Sequence, residues 1–157
     1  MKNNFYTILV SILMNNTRMI SYFAVIPLLI AATVIDIRER RIPDKLVLAG
    51  VAAGMVITQT DPSRRFTDSL MGGISAGIVL LLIHYITKGG IGLGDAKLFG
   101  CVGIYLGMEN IASAMLIAAV LSGLYSLALI CINRDNKKHE LPFAPFILIG
   151  TLVAIIF

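Results

Sequence analysis

From residue 19 onward, long apolar runs alternate with short polar clusters, and the runs predict helices over 19–35, 45–57, 67–86, 95–108, 111–132 and 142–157. The pattern predicts an all-α, polytopic membrane protein of about six transmembrane helices in a bundle. Pro27 falls in the middle of the first run, where a membrane helix tolerates a kink. Pro43 and Asp44 sit where the second helix would start. Turn chemistry at Thr60-Asp61-Pro62-Ser63-Arg64-Arg65 leads into the third. Gly72, Gly73, Ser75, Ala76 and Gly77 give that third run a small-residue face, read as a packing seam that lets helix backbones approach closely. The fourth run carries Gly100, Gly103 and Gly107, and Glu109-Asn110 is expected to turn the chain into the fifth.

The first eighteen residues read differently. Lys2 and the apolar run 5–14 resemble the opening of a signal peptide, but Asn15-Asn16-Thr17-Arg18 follows without a small-residue cleavage site. A helix over that run is about 15 Å long against about 30 Å of hydrocarbon. Residues 1–18 are therefore expected to form an N-terminal interfacial segment, with an extra span as the alternative. Residues 19–157 form the six-helix membrane domain.

Composition narrows the class. Of the 157 residues 57% are hydrophobic and only 14% charged, and the mean hydropathy is +0.87; soluble domains are about half apolar and a quarter charged. No room is left for a sizeable soluble domain, so any chemistry sits within or beside the bilayer. The net charge of +4 is dispersed among loops, which argues against nucleic acid as a partner and for contact with membrane lipid. Arg38, Arg40, Arg41, Lys45, Lys88, Lys97, Arg134, Lys137 and Lys138 lie on or beside alternate loops, whereas the opposite face has Lys2, Arg18, Arg64 and Arg65. The positive-inside bias places the richer face in the cytoplasm and both termini outside. Cys101 and Cys131 lie in apolar runs without metal-ligand or CxxC spacing, so both are expected to be buried, with no disulfide and no metal.

Ionisable residues in membrane helices are costly and therefore candidates for function. Asp36 ends the first apolar run, and Asp95 opens the fourth after Gly89-Gly90-Ile91-Gly92-Leu93-Gly94. On the positive-inside reading both lie at the cytoplasmic membrane boundary. Two carboxyls brought together from different helices share a proton more readily than they carry two charges. One can then take a proton from water while the other polarises a carbonyl, as in aspartic proteases. Gly92 and Gly94 are expected to adopt backbone angles closed to other residues and to let a substrate backbone approach Asp95. His84, near the end of the third run, is expected to pack in its helix, with a role in the site as the alternative. Lys97, two positions beyond Asp95, faces away and snorkels. Asp44 is expected to cap a helix or to support the pair.

Asp36 with Ile42-Pro43-Asp44, and Gly92-Leu93-Gly94-Asp95-Ala96-Lys97-Leu98, resemble the two signature elements of type IV prepilin peptidases, the GxGD class of intramembrane aspartic proteases. Pro142-Phe143-Ala144-Pro145-Phe146 with Gly150 resembles the C-terminal motif of that family, in which a glycine often replaces Ala144. The resemblance implies Asp36 and Asp95 as the catalytic dyad and no cofactor. The implied substrate is a type IV prepilin or pseudopilin precursor, cut after a glycine that ends a short basic leader on the cytoplasmic side of a bacterial inner membrane. Long family members carry a further cytoplasmic domain with paired CxxC motifs, associated with N-methylation. This sequence has no CxxC, so a short, peptidase-only form without methyltransferase activity is expected. Two readings from other classes are a small proton-coupled transporter, with Asp36 and Asp95 as a relay, and a noncatalytic pilus or secretion assembly protein.

Overall fold

The computed structural model describes the backbone of residues 2–59, 66–132 and 141–156, with side chains from residue 21 onward in those ranges except Ile130. The expected loops at 60–65 and 133–140, with Arg64, Arg65, Arg134, Lys137 and Lys138, lie outside the described residues. Among the described residues all regular structure is helical: α1 (Lys2–Glu39), α2 (Asp44–Gln59), α3 (Phe66–Ile86), α4 (Leu93–Ile132) and α5 (Ala144–Ile156). Three stretches, Ser21–Glu39, Phe66–Ile86 and Leu93–Leu129, are long and apolar enough to cross a membrane. The helices at the second and sixth runs, α2 and α5, have 16 and 13 residues.

Two element boundaries differ from expectation. Helix α1 runs unbroken through Asn15-Asn16-Thr17-Arg18 for 38 residues, because polar residues cost a helix only a few tenths of a kcal/mol each and no glycine or proline precedes Pro27. The reversal expected at Glu109-Asn110 occurs instead at Gly107, which has φ 75° and ψ 179° and divides α4 into arms 93–106 and 108–132. That conformation is essentially open to glycine alone. Glu109 and Asn110 are helical, in the first turn of the second arm, where an acidic side chain suits the positive end of the dipole. The backbone N–H of Met108 donates to Asp68 Oδ1 of α3 at 3.4 Å, and Asn110 Nδ2 donates to Tyr22 Oη of α1 at 2.8 Å. The break is thus tied to two other helices.

The first arm of α4 is the centre of the molecule. Leu98, Phe99, Cys101, Val102, Tyr105 and Leu106 on it are fully buried. Against α3 it packs backbone to backbone: a Cβ on Gly73 would lie 2.8 Å from the Gly100 carbonyl, and one on Gly72 would lie 2.6 Å from that of Gly103. This is the expected small-residue seam. Toward α2, Tyr105 Oη donates to the Gly50 carbonyl at 2.6 Å, and its ring covers Gly54. The second arm takes α5 in the same manner, with Gly150 against the Ala114 carbonyl. Cys101 is buried within this core as expected, but Cys131, near the end of α4, is exposed; both are free thiols. The outward faces of the helices are broadly apolar, with Leu48, Met71, Leu82, Leu116 and Leu127 exposed.

Candidate active site

The five helices bring the start of α4, the start of α5 and the end of α1 to one place. Helix α1 stops because Arg40 takes a left-handed conformation, φ 52°, with its N–H on the Asp36 carbonyl at 2.9 Å. Asp36 is thereby held in the last turn of α1 with only 6% of its surface exposed. Its Oδ2 accepts the backbone N–H of Ala144 at 3.0 Å. Ala144 is the first residue of α5, and its N–H is one of the donors that a helix start leaves without an internal partner. Pro145 has no N–H to satisfy, and Phe146 already donates to Phe143. Asp36 thus completes the hydrogen bonding of the α5 N-terminus, where the helix dipole favours a negative group.

Asp95 occupies the equivalent place on α4. It is the third residue of that helix, half-buried, and its N–H and that of Ala96 donate to the Gly92 carbonyl at 3.2 and 3.3 Å. The Asp95 carboxyl turns back over Gly92, its Oδ2 lying where a side chain at Gly92 would have to start. The carboxyl also lies close enough to that of Asp36 for the two to interact electrostatically. Two acids 59 positions apart in sequence are therefore neighbours, each at the N-terminus of a helix.

The glycine turn is built otherwise than expected. Neither Gly92 nor Gly94 has a positive φ; the left-handed residues are Lys88, φ 51°, and Gly89, φ 93°. The reason lies in how α3 ends. Gly89 N–H donates to the His84 carbonyl and Lys88 N–H to the Tyr85 carbonyl, which is a Schellman motif and requires left-handed backbone just past the last turn. The absence of a side chain at Gly92 and Gly94 has a packing cause. A Cβ on Gly92 would lie 2.9 Å from Asp95 Oδ2, and one on Gly94 would lie 3.3 Å from Ile42. The second contact seats the Asp95 loop against the Ile42-Pro43 segment that follows Asp36.

Asp44 and Lys97 join the same two segments. Pro43 supplies the first carbonyl of α2, to Val47 N–H at 3.3 Å, and Asp44 is the first helical residue. The Asp44 carboxylate pairs with Lys97 Nζ at 2.7 Å, with the side chains 75% and 51% exposed. Lys97 bonds to Asp44, whereas the sequence suggests only that it snorkels. At that exposure the pair contributes at most about 1 kcal/mol. Arg38, Arg40 and Arg41 are exposed. His84 places Nδ1 2.6 Å from the Ile91 carbonyl, inside the glycine turn, which is more than the packing expected of it first. An apolar cleft of about 420 Å³ opens between α3 and α4, with Ile83, Ile91, Phe99 and Phe143 toward the acid pair and Ser75 and Met108 toward the Gly107 break. Among the described residues no group of three or more His, Cys, Asp and Glu side chains is placed to hold a metal ion.

The sequence motifs identify Asp36 and Asp95 as candidates, but not the Ala144 N–H, the His84 contact or the Asp44–Lys97 pair. The partner of Asp36 lies 108 positions away, and its one local signal is Pro145, a residue that an α-helix accepts in its first turn but not in its interior.

Residues 23–127, which include both aspartates, match the model of the type IV leader peptidase family. The chain belongs to that family. It is 34% identical over 135 residues to the prepilin leader peptidase/N-methyltransferase of Bacillus subtilis strain 168, covering 84% of this chain and 53% of that protein. The protein of the same name from Burkholderia pseudomallei strain K96243 is 29% identical over 140 residues, covering 86% and 45%. That from Aeromonas hydrophila is 24% identical over 133 residues, covering 82% and 46%. The chain spans about half the length of these relatives. No solved structure gives a significant match.

Proposed function

We propose that this member of the type IV leader peptidase family is a membrane-embedded aspartic endopeptidase that removes the short basic leader from type IV prepilin or pseudopilin precursors. The observation that carries the reading is the meeting of Asp36 and Asp95 at the N-termini of α5 and α4. Two helix N-termini favour negative charge, and two adjacent carboxyls disfavour a second one, so the pair is suited to hold one charge and one proton. The ionised aspartate takes a proton from water, and the resulting hydroxide attacks the scissile carbonyl while the protonated aspartate donates to its oxygen. Collapse of the tetrahedral intermediate breaks the C–N bond, and the leaving amine receives the proton. The relatives' shared name supports the substrate class, and the proposal covers the peptidase half of that name.

The six apolar runs and the exposed apolar faces support six spans in lipid, the family supports a bacterial inner membrane, and the distribution of Lys and Arg supports the acid pair at the cytoplasmic face with both termini outside. Gly92 and Gly94 keep the approach to Asp95 free of side chains, which suits an extended substrate backbone. The test is coexpression of a prepilin with wild type, Asp36→Asn and Asp95→Asn. Each variant is expected to accumulate in the membrane and to leave the precursor uncut. Full leader removal by either well-folded variant would overturn the dyad. Flux in proteoliposomes that needs both acids, without cleavage of any precursor, would support a transporter in its place.

A further inference from the structure

We infer that His84 is a positioning residue for Asp95, acting through the single peptide group that joins Ile91 to Gly92. The inference rests on the peptidase reading above for its kinetic assay only. A carbonyl oxygen can only accept, so at 2.6 Å from Ile91 O the Nδ1 atom of His84 carries the proton and donates it. The other end of the same peptide group is Gly92, against which Asp95 rests: a Cβ on Gly92 would lie 2.9 Å from Asp95 Oδ2, and the Gly92 carbonyl accepts the Asp95 N–H at 3.2 Å. The C=O and N–H of a peptide unit point in opposite directions within one rigid plane. A donor that holds the Ile91 carbonyl therefore also sets the orientation of Gly92, on whose open face the Asp95 carboxyl lies.

The surroundings make this contact necessary and the histidine suitable. Gly89, Gly90, Gly92 and Gly94 leave the turn few side chains with which to fix its own peptide planes. His84, in contrast, stands on a rigid element. It lies in the last turn of α3, its carbonyl accepts the Gly89 N–H, and its ring meets Tyr85 edge to face at 5.7 Å. Helix α3 is in turn locked to the first arm of α4, which carries Asp95, through the Gly72, Gly73, Gly100 and Gly103 backbone contacts. The imidazole thus bridges from a fixed helix to the glycine turn that touches the acid.

A histidine that merely packs can be replaced by an apolar side chain of similar size; one that donates from Nδ1 can be replaced by asparagine, whose amide nitrogen occupies a similar place. Purified wild type, His84→Leu, His84→Ala, His84→Asn and Asp95→Asn are compared on a prepilin precursor, with thermal melting as the control for folding. Both apolar variants are expected to lower kcat about tenfold to a hundredfold, the scale of a misplaced catalytic group, with KM within about twofold. His84→Asn is expected to stay within about threefold of wild type in kcat. Wild-type kcat in a folded apolar variant, a change confined to KM, or an Asn variant as impaired as the apolar ones would overturn the inference. A second readout is carbodiimide modification of Asp95 followed by mass spectrometry across pH. Its profile is expected to be displaced in the apolar variants and restored by Asn. Should wild type cut no precursor while this profile depends on His84, the peptidase reading fails and the positioning role stands. Should cleavage need Asp36 and Asp95 while neither readout responds at His84, the positioning role alone fails.

Discussion

Gly107 is the residue whose identity is most tightly dictated by local geometry. At φ 75° and ψ 179° any side chain meets its own backbone, at a cost of about 1–3 kcal/mol. Gly107→Ala is therefore expected to lower the unfolding temperature of the protein in detergent. Gly123 provides the opposite sign: it has ordinary helical φ and nothing within 4 Å of an added Cβ. Gly123→Ala is expected to leave stability unchanged or raise it by up to about 1 kcal/mol. Thermal melting of the two variants side by side checks both. The sequence marks each of these positions only as glycine within an apolar run. It likewise marks Gly92 as a candidate for unusual backbone angles, whereas its angles are ordinary and the Asp95 carboxyl fills the space its side chain would need.

At the scale of elements, the bundle is held by backbones in contact. Lipid tails are as apolar as the helix surfaces, so helices in a membrane gain from close packing and hydrogen bonds more than from leaving water. The α3 seam is legible in the sequence because Gly72, Gly73 and Gly77 recur on one helical face. Its partner, the Gly100–Gly103 face of α4, is not legible, since pairing depends on how the two helices cross. Gly103→Val would drive a Cβ into the Gly72 carbonyl, and overpacking of this kind costs about 1–3 kcal/mol or more. The expected outcome is a lower melting temperature and lower accumulation in the membrane. Tyr105→Phe is expected to act more gently. It removes the 2.6 Å hydrogen bond to the Gly50 carbonyl, a loss of about 0.5–1.5 kcal/mol, and melting and denaturant resistance should fall without a change in membrane insertion.

For the whole molecule, the question is which face of the membrane holds the acid pair. The proposed orientation puts Arg41, next to the α1 terminus, in the cytoplasm and Phe66, at the start of α3, on the opposite side. Single cysteines at these two positions, in a background of Cys131→Ser, are expected to react with a membrane-impermeant maleimide from opposite sides. Arg41→Cys should label in inside-out vesicles and Phe66→Cys in intact spheroplasts. The reverse pattern would move the acid pair to the outer face and with it the side on which a basic leader could be presented.

The sequence read alone establishes the helical class, the membrane setting, Asp36 and Asp95 as candidates, and the small-residue face of α3. Each is written in local features: apolar run length, charge between runs, and short motifs whose residues are contiguous. The tertiary structure alone decided that Asp36 meets the first N–H of α5, that Asp95 is its neighbour, that α4 breaks at Gly107 and that His84 reaches the Ile91 carbonyl. The physical reason is the same for all four. A helix start leaves donors unpaired and a glycine turn leaves peptide planes unfixed, and which distant group satisfies them depends on how the helices cross. That crossing is set by side-chain and backbone packing over the whole bundle, which neither periodicity nor motif encodes.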